Sequence, residues 1–99
     1  WVAAHEPEVL REFAELLRIP NVAADPDGLR RNAEAIRAML ARRGVAARVV
    51  ENPAGGPPAV IGELRAPRAA RTVTLYAHYD GQPVDPSQWA TPPFAPTLR

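Results

Sequence analysis

Apolar side chains recur at helical spacing twice before residue 45, and then the pattern switches to alternation. Leu10, Phe13, Leu16 and Leu17 line one face of a first helix, predicted over Glu6 to about Arg18 and stopped by Pro20. Pro7 falls in the first turn of that span, where its missing N–H costs nothing, and Glu6, Glu8 and Glu12 sit toward the positive end of the helix dipole. A second helix is predicted to open on Asp25 as N-cap with Pro26 in the first helical position. It carries Leu29, Ala33, Ile36 and Leu40 on one face and ends at Gly44 after Arg42 and Arg43.

From Val45 the period is two. Val45, Ala47 and Val49 alternate with Ala46, Arg48 and Val50, as in a strand with one poor face, and Asn52 to Pro58 is a cluster of turn residues. Ala59 to Leu64 then reads as the antiparallel return of a hairpin. The Gly-rich turn is no phosphate cradle, because no Lys-Ser/Thr pair and no helix start follow Gly56. After a polar connection over 66–71, Thr72 to Asp80 is apolar on both faces in its middle, the pattern of an interior strand covered by helices on both sides. Beyond Gly81 come five prolines with Trp89 and Phe94 between them, predicting an ordered loop without regular structure.

Composition narrows the class without naming a function. Leu, Ile, Val and Phe supply 22 of 99 residues, enough for one small core or part of one, and 12 basic residues against 11 acidic leave a net charge of +1. That balance gives no electrostatic footprint for nucleic acid or an anionic membrane surface. No run approaches the ~18 apolar residues of a spanning helix. There is no cysteine, so any metal must be held by His, Asp or Glu. All twelve basic residues are Arg, and residue 1 is Trp while the one Met is Met39, so the expectation is a processed or trimmed piece of a longer chain.

His78 and Asp80 are the candidate site. Residues two apart in a strand point to one face, and these two stand where the predicted strand runs out into a loop, the position at which open α/β sheets bind ligands. A neutral imidazole can ligate a divalent metal through one nitrogen while the other donates to a carboxylate, which fixes the tautomer. The plain alternative is a satisfied histidine beside an Asp80-Gly81 turn. Trp89 and Phe94 have two readings as well, as lining of a substrate pocket or as anchors of the loop, the second being the commoner use. His5 has no partner in view and reads as surface. Ser87 is the lone serine, and no serine-nucleophile motif is present.

The run Leu75-Tyr76-Ala77-His78-Tyr79-Asp80-Gly81-Gln82-Pro83, followed by Trp89 and Pro92-Pro93-Phe94, resembles the M20 family of metallopeptidases, most closely its dipeptidase branch, which contains the carnosinases. Leu17 to Val22 is similar to the segment after that family's first helix, and the order of helices, hairpin and strand follows the family across nearly all 99 residues. The resemblance implies an α/β sandwich of the zinc-exopeptidase type, with residues 1–99 as the N-terminal part of a catalytic domain. It implies that His78 ligates one of two divalent ions, usually zinc with manganese or cobalt as alternatives, and that Asp80 acts in catalysis by supporting that ligand from behind. The remaining ligands, the Glu general base and a dimerisation domain lie outside these residues in that family. The expectation is a metal-dependent hydrolase of dipeptides or short peptides whose parent protein is a homodimer. An amidase or N-acyl amino acid deacylase on the same scaffold, and a non-catalytic interaction module, stand as alternatives.

Overall fold

A computed structural model describes residues 1–98. Two helices and a two-stranded antiparallel sheet make a small α/β arrangement: α1 (Val2–Leu17), α2 (Pro26–Arg42), β1 (Ala46–Val50) and β2 (Ala59–Glu63), with a short 3₁₀ turn at Pro86–Gln88. α1 starts at Val2 rather than Glu6, so Pro7 lies inside the helix and no acidic residue occupies the first turn. The strongly helix-forming Ala3 and Ala4 extend the helix past the proline, which deletes one intrahelical bond. Trp1 caps this extension. Its ring stacks on His5 with centroids 4.1 Å apart, and its carbonyl oxygen lies 2.8 Å from His5 Nδ1.

α2 begins and ends as its sequence predicts. The Asp25 carboxylate accepts from the Gly28 N–H at 2.9 Å, Pro26 takes the first helical position, and Gly44 turns the chain out of the helix at φ +76°. This helix carries the buried centre of the molecule, Leu29 and Ala33, and packs on both strands of the hairpin. Buried beside them is Asn32, whose amide donates to the carbonyls of Gly28 (3.0 Å), Pro20 (3.1 Å) and Ile19 (3.3 Å). A buried amide left without partners is costly, so these bonds fix the loop between the helices against α2. Arg30 forks onto Glu51 at 2.6 and 2.9 Å and ties α2 to the end of β1.

The hairpin pairs Ala46 with Glu63 and Val50 with Ala59, in the antiparallel sense predicted. Its turn is organised by Asn52, which accepts from Ala54 N–H on its side chain and from Gly55 N–H on its carbonyl, both at 3.0 Å. α1 is held to α2 by ion pairs, Arg42 and Arg43 both reaching Glu12. Its apolar stripe is only partly covered, and Phe13 remains 53% exposed.

The interior strand predicted over Thr72 to Asp80 is not paired into a sheet. A strand acquires its backbone bonds from a neighbour, and no backbone group of residues 72–78 has a hydrogen-bond partner among the described residues. Val73, Leu75 and Tyr76 are each more than four-fifths exposed. The segment rejoins the molecule at its far end, where Gly81 forms an isolated parallel bridge with Val22. The radius of gyration, 15.8 Å, exceeds the roughly 13 Å of a compact domain of this length, in keeping with that open segment.

Candidate functional site

The side chains of Tyr76, His78 and Asp80 line up on one side of the chain, as the two-residue period predicts. His78 Nδ1 lies 3.1 Å from Asp80 Oδ1, and His78 Nε2 lies 3.1 Å from the Tyr76 hydroxyl, whose ring meets the imidazole edge-on. With a carboxylate accepting at Nδ1, that nitrogen carries the proton in the neutral ring, and Nε2 keeps the lone pair. The Tyr76 O–H then donates to Nε2. The imidazole is well exposed and Asp80 less so.

Tyr79, between the two, points elsewhere. Its hydroxyl donates to the buried Pro58 carbonyl at the start of β2, and burial, with the Asp80 charge adding to it, pushes its phenol above the usual range. On the opposite flank, Asn21 Nδ2 donates to the Tyr79 carbonyl at 2.8 Å, Gly81 N–H donates to the Asn21 carbonyl at 2.8 Å, and Ala23 N–H donates to the Gly81 carbonyl at 2.9 Å. A Cβ on Gly81 would lie 2.9 Å from Asn21 Oδ1, so a larger residue there would push on the Asn21 amide.

The structure brings together the two residues that the sequence singles out and adds two that it does not. Tyr76 was visible in principle, since it stands two residues before His78. Nothing in local spacing points to Asn21, which lies 58 residues from its partner Tyr79. In the loop beyond, Asp85 caps the 3₁₀ turn by accepting from Ser87 N–H and Oγ–H, and those bonds hold its carboxyl below the usual range. Trp89 is 52% exposed, so within the described residues its ring is not the buried anchor expected of it, while Phe94 is half-buried. His5 is not a bare surface residue, because Trp1 covers one face of its ring.

As a metal site the arrangement fits one ligand and the carboxylate that orients it. Among the described residues no three His, Asp or Glu side chains converge, so a complete coordination shell is not formed by them. A hollow of about 420 Å³ lies between α1 and α2 and is lined by Trp1, His5, Glu12 and Arg43 among others, with no residue of the His78 segment. Its floor is electrostatically satisfied: Arg43, assisted by Arg42, holds the Glu12 carboxyl below its ordinary range. Searches against protein-family models, curated proteins and solved structures found no match to this chain. The resemblance drawn from the sequence therefore rests on the residues that carry it.

Proposed function

We propose that this chain is the N-terminal part of the catalytic domain of a metal-dependent hydrolase, an α/β sandwich of the zinc-exopeptidase type that cleaves dipeptides or short peptides. The observation that carries the reading is the His78–Asp80 contact. The carboxylate accepts a hydrogen bond from Nδ1–H, orients the ring and raises the basicity of Nε2, which is how a carboxylate behind a histidine prepares it to ligate a divalent ion. His78 is the metal ligand in this reading and Asp80 its supporting carboxylate, with Tyr76 swinging off Nε2 when the ligand is used. Divalent ions held there, zinc in the first instance, would supply Lewis-acid polarisation of a scissile carbonyl and a water-derived nucleophile at neutral pH. One histidine cannot assemble that centre, so residues 1–99 alone turn over no dipeptide.

The test is an assay of the complete protein against a panel of dipeptides and N-acyl amino acids, before and after chelation and after re-addition of zinc, manganese or cobalt. Metal-restored dipeptide cleavage that disappears in His78→Ala is the expected result. Cleavage confined to N-acyl amino acids would move the substrate class to a deacylase, and metal-independent or absent turnover would overturn the hydrolase reading.

A further inference from the structure

The aim of the His78–Asp80 pair is set from outside its own segment. Residues 72–78 have no backbone partner among the described residues, so the geometry is imposed where the chain rejoins the interhelical loop, and one residue does most of it. The Asn21 side-chain amide holds the Tyr79 carbonyl, which belongs to the peptide plane before Asp80. The Asn21 main-chain carbonyl holds the Gly81 N–H, which belongs to the plane after it. Peptide units are rigid planes, so gripping the plane on each side of the Asp80 Cα fixes its φ and ψ, and with them the direction of its Cβ. Asn21 is itself anchored: the carbonyls of Ile19 and Pro20 just before it are bound by the buried Asn32 amide of α2.

We infer that Asn21 is the positioning residue of the site: it aims the Asp80 carboxylate at His78 Nδ1 and thereby decides that Nε2 is the nitrogen left with the lone pair. This deepens the proposed function and rests on it for the use made of Nε2, while the geometric claim is tested without any metal. Replacing Asn21 with Asp keeps the size and the main-chain carbonyl but turns the donor facing the Tyr79 carbonyl into an acceptor. Replacing it with Ala removes the side chain altogether.

The experiment is side-chain ¹⁵N NMR of His78 in the 1–99 chain, at a pH where the imidazole is neutral, for wild type, Asn21→Asp and Asn21→Ala, alongside amide exchange at Gly81 and the methyl resonances of Leu29. The wild type should show the Nδ1–H tautomer. In both variants His78 should shift toward the Nε2–H tautomer that an unrestrained imidazole favours. Gly81 exchange should rise roughly three- to tenfold, the factor for one net hydrogen bond. The Leu29 methyls should not move. An unchanged His78 tautomer in either variant would overturn the inference. So would Leu29 resonances that collapse in both variants, since Asn21 would then be a general structural residue. If the tautomer moves as expected and the chelation assay is negative, the hydrolase reading falls and the positioning role stands.

Discussion

Residues 1–64 and residues 72–81 both carry apolar side chains that need covering, yet they meet opposite fates. In the first region each signal finds its answer nearby: Asp25 caps α2, Gly44 releases it, and Asn52 closes a turn that lets β1 and β2 satisfy each other's backbones. The second region has β-forming residues of the same kind, but its residues 72–78 find no backbone partner among the described residues, and Leu75 is left 91% exposed where Leu29 is 1% exposed. Side-chain pattern states which surfaces need covering. It does not state what covers them, and a strand cannot supply its own partner.

The sharpest way to break this comparison is to truncate one leucine from each region. Leu29→Ala should cost about 2–5 kcal/mol of the stability of the helix–hairpin unit, read from denaturant unfolding. Leu75→Ser should fall within about 0.5 kcal/mol of wild type. It should also lower the self-association that an open apolar segment with unpaired backbone invites, followed by light scattering. Equal costs at the two positions, or a strictly monomeric wild type at high concentration, would mean that the 72–78 segment is covered in solution.

A smaller effect is expected where the two regions touch. Tyr79→Phe removes the hydroxyl that donates to Pro58 and should cost about 1 kcal/mol, accompanied by faster amide exchange near Gly81. Because burial raises the Tyr79 phenol above its ordinary value of 10.0, its contribution is fully present below that pH. It is lost as the pH climbs through the raised value and the phenolate forms. An alkaline unfolding profile identical in wild type and Tyr79→Phe would deny that docking.

How much was legible follows the same division. α2, the hairpin and its turn were readable because their causes are local: a cap, a proline, a glycine, an alternation. α1 starts upstream of its predicted first turn because Ala3, Ala4 and the Trp1–His5 stack carry the helix past Pro7, and neither effect shows in the apolar spacing. At the site, the pairing of His78 with Asp80 and their shared side of the chain follow from the two-residue period. The role of Asn21 did not, since it depends on a loop being brought to the segment by a buried asparagine on another helix.

The smallest predicted effect concerns the surface ion pairs of the first region. Hydrogen bonds from Arg43 and Arg42 lower Glu12, and those from Arg30 lower Glu51, so their contribution is present above the ordinary carboxylate value of 4.5. It fades as the pH falls through the depressed values. The arginines and Glu51 are exposed and Glu12 is partly covered, and salt should weaken these pairs; acid titrations of Glu12→Gln and wild type at low and high ionic strength should converge as salt is added. Curves that stay apart would place Glu12 in a drier setting than the structure gives it.

The central claim is that His78 holds a metal and Asp80 prepares it, and the most direct measurement is metal bound per chain, with turnover, in the complete protein for His78→Ala and Asp80→Asn. His78→Ala should lose the ion at one of two positions. Asp80→Asn should keep it, with affinity or activity down by roughly 10–100-fold, because the amide oxygen still accepts from Nδ1–H but lacks the charge that raises the basicity of Nε2. Equal metal loss in the two variants would make Asp80 a direct ligand. Wild-type behaviour of Asp80→Asn would reduce it to a turn residue, and either result would contradict the account.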